Sequence, residues 1–381
     1  MTRAPGSPRR ATLPPCPPAA PLNLYALSEP ELAAALAAWG EPAFRAKQVR
    51  QWIYERGATS AEEMTDLPQR LRTRLGAEAV FGTLSLAAEQ VSNDGTIKRV
   101  YALPDGQLIE SVLMPYEDGR RTACISSQAG CAMACAFCAT GQMGFARQLT
   151  EAEIVEQALR FAQELVKRGE RLSNVVMMGM GEPFHNYENA VGAMRRLIGE
   201  LGIGARHITV STVGLAPQIR RFAGEGLQVT LAISLHAATD EARAALLPIN
   251  RRWPLAELLD ACREYAERAG RRISFEWALI SGKNDSVGEA ERLGRLLQGL
   301  PAHVNLIPLN PTAGYDGAPT QAPQAQRFVE VLGRFGVSAT VRVRRGIDID
   351  AGCGQLKAAV LKRERAAAAA AIAAAESAET P

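Results

Sequence analysis

The chain reads as an α/β protein built on parallel strands, either a wound sheet or a partial barrel. Three observations predict this. From residue 120 onward, seven strand-like runs recur: TACISS, NVVMMGMG, HITVSTVG, VTLAISLHA, ISFEWALI, HVNLIPLN and ATVRVR. Helical runs lie between most of them, and strands separated by helices pair in parallel. The polar and glycine residues collect at the carboxyl ends of these runs, where parallel folds gather function. They are Gly179, Gly181 and Glu182, Ser211 and Thr212, Ser234 and His236, Asn310, and Cys353. Finally, 381 residues with a 47% apolar fraction are enough for one large domain, or a large and a small one, around a sizeable core.

Residues 1–22 hold seven of the 22 prolines and read as a disordered tail. Residues 23–80 read as short amphipathic helices forming an accessory domain. Ser28 and Glu31 fit a capping box before LAAALAAWG, with Gly40 as its stop. A second helix runs through FRAKQVRQWIYERG to Gly57. Residues 81–119 read as a three-stranded meander linking this unit to the core, with turns at Asn93-Asp94-Gly95 and Pro104-Asp105-Gly106. The core spans residues 120–357, and its longest helical run, EAEIVEQALRFAQELVKRG, opens with a Thr150/Glu153 capping box. Residues 358–381 are Ala-rich and read as a frayed helix.

The net charge is +3. Arg3, Arg9 and Arg10 in the first 22 residues supply all of it, so the body is neutral. A nucleic-acid partner therefore requires local basic patches. Candidates are Arg120-Arg121, Arg220-Arg221, Arg251-Arg252, Arg271-Arg272 and Arg342/Arg344/Arg345, with Arg45, Lys47, Arg50 and Arg56 in the helical segment. No run of 18 or more apolar residues exists, which predicts no membrane span. The N-terminus lacks an apolar signal core, which predicts a cytoplasmic protein with reduced cysteines unless they hold metal or do redox work. An odd count of seven cysteines argues against a complete disulfide framework. A monomer is expected.

Cys131, Cys135 and Cys138 lie in CAMACAFC, after the first core strand. Three thiolates can hold three irons of a cubane and leave the fourth open to a small molecule. The alternatives are a zinc site without a visible fourth ligand, or three unrelated thiols. MGMGEP (residues 178–183) taken alone is a glycine-rich turn, and His236 alone is a satisfied histidine at a strand end. Cys124 and Cys353, taken alone, are buried thiols. Cys16 and Cys262 carry no assigned role.

Cys-x3-Cys-x2-Cys beside GMGEP resembles the radical S-adenosylmethionine (SAM) superfamily. The resemblance implies a partial (β/α)6 TIM-like radical SAM barrel and a 4Fe-4S cluster on Cys131, Cys135 and Cys138. Gly181 and Glu182 would meet the methionine amino group, a carboxylate facing an ammonium. Ser211 in VSTVG and Ser234, Leu235 and His236 in ISLHA resemble the segments that meet ribose and adenine. Asn310 in NLIPLNP resembles a further SAM contact.

TACISSQAGCAMACAFCATG and GIDIDAGCGQL narrow the resemblance to the adenine C2 methyltransferases of ribosomal and transfer RNA, the RlmN family. The match runs from about residue 24 to 360 and includes GEPAFRAKQVRQWIY, EEMTDLP and LPINRRWPL. It implies a two-SAM route. The Cys353 thiolate takes a methyl group from one SAM. A second SAM, cleaved by the reduced cluster, gives a deoxyadenosyl radical that removes a hydrogen from that methyl. The methylene adds to the electron-poor carbon 2 of adenine. Glu110 of the IES segment accepts the proton. Cys124 then attacks the Cys353 sulfur, forming a disulfide and releasing the product. One residue more than in the family pattern separates Glu110 from Cys124. Met178 is either near the sulfur radical or simple core packing.

The implied substrates are 23S rRNA at the peptidyl-transferase centre and tRNA at the adenosine 3′ of the anticodon, with the base leaving its stack. The implied partner is a low-potential electron donor such as flavodoxin or ferredoxin. Two other readings share these residues. One is a resistance-type enzyme methylating carbon 8 of the same ribosomal adenosine; the other is a non-catalytic metal-binding RNA module.

Overall fold

The computed structural model describes residues 21–312, 314–343, 345–349 and 355–357. The expectations for both tails, for Cys16, for Arg344 and for Cys353 fall outside these residues.

The helical unit begins with β1 (Leu22–Asn23) and continues through α1 (Glu29–Ala38), α2 (Phe44–Tyr54) and α3 (Gln69–Glu78) to β2 (Ala79–Val80). The Ser28/Glu31 capping box is present, and α1 stops at Trp39 and Gly40. Leu32, Leu36, Val49, Ile53, Leu71 and Leu75 bury together with Leu159 of the main body. Each such side chain is worth ~1.5–3 kcal/mol before chain entropy is counted. The parallel pairing of β1 with β2 is absent from the sequence pattern, because two-residue strands carry no period. Gln163 ties this unit to the core, its Nε2 donating to the carbonyls of Ile53 and Ala58 and to Tyr25 Oη.

The meander follows as β3 (Ser85–Val91), β4 (Ile97–Ala102) and β5 (Leu108–Pro115). Asp94 Oδ1 accepts from Thr96 N at 2.9 Å, fixing the first turn. β5 pairs antiparallel with β6 (Arg121–Cys124), so the meander continues directly into the core sheet. The cysteine loop is flanked by a hairpin of β7 (Gln128–Gly130) and β8 (Phe145–Gln148), with α4 (Ala139–Gln142) between them. The core then alternates: α5 (Glu151–Lys167), β9 (Asn174–Met177), α6 (Tyr187–Gly199), β10 (Ile208–Thr212), α7 (Ala216–Phe222), β11 (Thr230–Ser234), α8 (Asp240–Leu246), α9 (Leu255–Ala269), β12 (Ile273–Leu279), α10 (Val287–Leu297), β13 (Ala302–Pro308), α11 (Ala322–Arg334) and β14 (Ser338–Val341).

The ten strands lie in the order β14-β13-β12-β11-β10-β9-β6-β5-β4-β3. From β6 to β14 every neighbouring pair is parallel. β6, β9, β10, β11, β12 and β13 each lead to helices, which is the expected partial (β/α)6 arrangement, and β14 adds a seventh parallel strand. β3 and β14 are the two ends of the sheet order, so the barrel is open. Apolar faces of the helices and outer strand faces form one core around Phe161, Met194, Phe222, Tyr265, Trp277 and Phe328. The inner face is polar, because strand residues alternate sides and Ser274, Glu276 and Asn305 point inward as a bonded group.

After β14 the chain returns to the meander. Gly346 N donates to Asp94 Oδ2 at 3.0 Å, and Asn93 N donates to Asp348 Oδ2 at 3.0 Å. Leu356 packs on Val100 and Leu108.

Candidate active site

The cysteine loop owes its shape to local turns. Cys131 N donates to Gly144 O at 2.8 Å, across the β7–β8 hairpin. Ala134, between the first two cysteines, takes a left-handed conformation at φ 51°, which side-chain-bearing residues adopt rarely outside functional sites. Ala136 N donates to Leu246 O at 2.9 Å, fixing the loop to α8. Cys138 caps α4.

Cys131, Cys135 and Cys138 all line one cavity of about 310 Å³. Gly181, Glu182, Ser211, Ser234 and His236 line it as well. Burial pushes the Cys131 thiol up to about 12, and Cys135 is raised by the same cause. A metal reverses this, since coordination deprotonates a thiol. Among the described residues no group of three His, Cys, Asp or Glu side chains is arranged to hold a single metal ion. A cubane takes each of three thiolates at a different corner. Two buried polar atoms on the cavity wall, Thr140 Oγ1 and Glu276 Oε2, have no hydrogen-bond partner. A soft three-sulfur donor set beside polar atoms awaiting partners fits a cluster with a polar ligand.

The GMGEP strand end meets the loop at close range. Gly181 has φ +103°, and a Cβ there would sit 2.5 Å from Gln128 Cβ. Glu182 is buried, with Oε1 accepting from Phe184 N at 2.9 Å and Oε2 from Val213 N at 2.8 Å. Burial nevertheless pushes its carboxyl up to about 7. His236 holds φ 60°. Its Nδ1 accepts from Ala278 N at 2.9 Å, which leaves the hydrogen of the neutral ring on Nε2. Burial pulls its pKa down to about 3, so the ring stays neutral and serves as a donor, not a proton exchanger. Its ring meets Phe137 edge to face at 4.8 Å.

Ser211 and Ser234 end neighbouring strands on the cavity wall. Leu235 sits between Ser234 and His236 with its side chain wholly in the core. Asn310 lines an adjoining cavity of about 180 Å³ with Cys138, His236 and Gln355.

Glu110, Val112, Cys124 and Met178 share one side of the sheet. Val112 is in register with Cys124, and Cys124 with Val176. Cys124 and Met178 pack in one small cluster with Val112 and Val176. The β5–β6 turn closes through Tyr116 N to Arg120 O at 2.8 Å. Lys98 Nζ lies 3.3 Å from Glu110 Oε2, both side chains buried. Lys357 N donates to Glu110 Oε1 at 2.6 Å.

Several supporting residues escape sequence reasoning. Gln128 Oε1 accepts from Glu182 N at 2.8 Å. Gln157 holds Ser126 through both its amide atoms. Their only sequence signal is a polar residue at a position the apolar period assigns to the core. Cys262 is an ordinary buried thiol of α9. Of the basic candidates, Arg121, Arg220 and Arg221 pair with Glu170, Glu264 and Glu188. Arg50 is bound to Glu200 at 2.8 Å and Arg56 to Asp66. Arg272 and Arg342 line a cavity of about 450 Å³ that shares Met178, Glu276 and Arg342 with the first, with Tyr116 and Arg120 also on its wall. The Arg120 and Arg345 guanidinium groups lie 4.6 and 4.3 Å from the Tyr116 ring centre. No helix among the described residues is long and apolar enough to cross a membrane.

Comparison with known proteins matches both parts of the chain. Residues 125–293 match the radical SAM superfamily model, and residues 22–81 match the ribosomal RNA large subunit methyltransferase N-terminal domain. A dual-specificity RNA methyltransferase RlmN 1 of Myxococcus xanthus is 53% identical over 346 residues, covering 90% of this chain and 96% of that one. A dual-specificity RNA methyltransferase RlmN of Anaeromyxobacter dehalogenans is 50% identical, covering 88% and 92%. The crystal structure of a radical SAM methyltransferase from Sphaerobacter thermophilus superposes with a TM-score of 0.84 at 48% identity, covering 88% of this chain and 99% of that one.

Proposed function

The chain belongs to the RlmN family of dual-specificity RNA methyltransferases, and from that membership we propose how its own residues divide the work. The protein is a radical SAM enzyme that methylates carbon 2 of adenosine in 23S rRNA and in tRNA. It uses a 4Fe-4S cluster and two SAM per turnover.

Cys131, Cys135 and Cys138 hold the cluster, which when bound supplies one electron to SAM and so generates the deoxyadenosyl radical. Glu182 receives the SAM ammonium from the end of β9, backed by Gly181. Ser211, Ser234 and the Nε2–H of His236 meet the nucleoside part. Asn310 closes the far side, and Leu235 contributes by spacing Ser234 from His236.

Cys353 carries the methyl group, received as its thiolate displaces S-adenosylhomocysteine from one SAM. Gln355 lines the cavity beside Cys138 and Lys357 contacts Glu110. Gln355 and Lys357 lie two and four residues after Cys353 in sequence, and their contacts with the cavity and with Glu110 are the observation that supports the assignment. Glu110 takes the proton from carbon 2. Cys124 attacks the Cys353 sulfur, forming a disulfide and breaking the bond to the product carbon, which takes up a proton to become the methyl group; the odd electron left by the radical addition would pass back to the oxidised cluster. An external dithiol must reduce that disulfide, and a low-potential donor such as flavodoxin or ferredoxin must reduce the cluster. Arg272, Arg342 and the Arg120–Tyr116–Arg345 stack supply the RNA-facing charge. The helical unit at residues 23–80 supports RNA binding, with the meander at 81–119 and the core at 120–357. A cytoplasmic monomer suits the need for reductant.

The test is nucleoside mass spectrometry after incubation of reconstituted protein with SAM, reductant and unmodified rRNA or tRNA fragments. The expected product is 2-methyladenosine. An 8-methyl product would reassign the regiochemistry, and full activity in Cys353→Ala would overturn the methyl-carrier role.

A further inference from the structure

Arg243 is a wholly buried arginine on α8. Its Nε donates to Leu235 O at 3.2 Å and Nη1 to Asn250 Oδ1 at 2.8 Å. Nη2 donates to Val213 O at 2.6 Å and to Ser234 O at 3.0 Å. Every one of these acceptors is neutral. The nearby carboxylate of Asp240 is taken up elsewhere, by Asn250 Nδ2 at 2.8 Å and Leu255 N at 2.7 Å. Among the described residues no carboxylate lies within ion-pair distance of Arg243. Buried charges are otherwise paired, because an unpaired one keeps its full desolvation cost.

The missing counter-charge is close by. Val213 and Ser234 line the cavity of the three cysteines, and Arg243 stands behind them. The loop carrying Cys135 is bonded to the helix carrying Arg243 through Ala136 N and Leu246 O. Burial pulls the guanidinium down to about 10, and the group opposing that most strongly is Cys135. A cubane held by three thiolates is a net anion, and reduction adds one more negative charge. Cluster potentials respond to nearby charge and to burial.

We propose that Arg243 is the built-in counter-ion of the cluster, holding its negative charge from behind Cys135 and making its one-electron reduction easier. The proposal rests on the assignment of Cys131, Cys135 and Cys138 as cluster ligands. The electron comes from the low-potential donor, the cluster is reduced, and Arg243 gains or loses no proton. Arg243 is thus a positioning residue by charge, and by its fork it also ties the ends of β10 and β11 to α8.

The test reconstitutes wild type, R243K, R243Q and R243M with iron and sulfide under anaerobic conditions. Iron and sulfide content is counted, and the reduction potential is read from the paramagnetic signal of the reduced cluster. Melting of the metal-free proteins separates folding from charge. R243K keeps the charge and loses the fork; its potential should stay near wild type. R243Q and R243M should show at least a tenfold smaller ratio of reduced to oxidised cluster at a fixed donor potential, a shift of about 59 mV for one electron. Folded neutral variants that take up no cluster while R243K does would also support the counter-ion. Loaded neutral variants with the wild-type potential would overturn it, and so would R243K falling as far as R243M. If R243M does not fold, R243K against R243Q makes the same comparison, since both retain hydrogen-bond donors. A wild-type protein that takes up no iron would instead sink the ligand assignment.

Discussion

Glu110 and Lys357 are joined at 2.6 Å, side-chain oxygen to backbone N–H, across 247 residues of sequence. The bond brings the last described segment onto the meander, and Leu356 packs on Val100 and Leu108 beside it. Glu110 lies on the same side of the sheet as Cys124. One strand thus carries the proposed proton acceptor, and its neighbour carries the proposed resolving thiol. Lys357, four residues after the proposed methyl carrier in sequence, contacts the first of these two strands.

Glu110→Gln keeps the size and one acceptor of the side chain and removes its basicity. Loss of a positioned general base typically costs ~10²- to 10⁴-fold. Methyl transfer to RNA should fall by about that range, while cleavage of SAM to deoxyadenosine continues. Quantifying both products in one reaction is the check, and proportional loss of the two would argue against a base. Because Lys98 and Glu110 are a buried ion pair, Lys98→Met should lower stability by ~3–5 kcal/mol, measured by denaturant titration of the metal-free protein.

Cys124→Ala removes the thiol that attacks the Cys353 sulfur. The bond between enzyme and RNA then has no internal route to cleavage, so a covalent protein–RNA species should accumulate. Denaturing electrophoresis with labelled RNA reads it directly. Normal turnover of Cys124→Ala would place the resolving step elsewhere. Substitution of Cys262, a buried thiol of α9 that does not line the cavity, should trap nothing.

Glu182 gives a pH dependence of known sign. With its carboxyl pushed up to about 7 by burial, the ligand-free site is mostly neutral below that pH and anionic above it. An ammonium ligand needs the anion. SAM affinity should be full above about pH 7 and fall towards tenfold per pH unit below it. For the ligand-free fold the sign is opposite: the raised value favours the fold at acid pH, and that advantage is lost as pH rises through about 7. Calorimetric titration with SAM at several pH values checks the first statement. Glu182→Gln should bind more weakly with no slope, and a wild-type profile as flat as that would refute the role.

The parts of this fold legible in sequence are those whose cause is local. The Ser28/Glu31 and Thr150/Glu153 boxes are read directly, because a cap needs only residues three apart. The three-cysteine loop is legible because its chemistry is contiguous. The seven parallel strands are legible because alternation with helices fixes their pairing. What the sequence hides is made by distant partners. A charged side chain is expected outside, yet Lys98 is buried by Glu110 and Arg243 by carbonyls of two strand ends. The meander was expected as a linker, and only the β5–β6 register makes it part of a ten-stranded sheet.

Gly181 and Gly179 allow a graded test of the strand end. At Gly179 a Cβ would meet the Ile125 backbone at 2.7 Å, and backbone must move to admit it. At Gly181 a Cβ would meet Gln128 Cβ at 2.5 Å and Gln128 N at 2.7 Å, and φ is +103° as well. Strained backbone of this kind costs ~1–3 kcal/mol per residue, so Gly181→Ala carries a cost that Gly179→Ala does not. Both should lower the melting temperature, and Gly181→Ala should weaken SAM binding more, because it displaces Glu182 from Gln128. Adding Gln128→Ala to Gly181→Ala removes the contact with Gln128 Cγ at 2.7 Å but not those with Cβ and N, nor the strain in φ. Rescue of stability should therefore be partial. SAM affinity should not recover, since the bond from Glu182 N to Gln128 Oε1 is lost with the side chain. Complete recovery of affinity in the double variant would show that Gln128 has no part in placing Glu182.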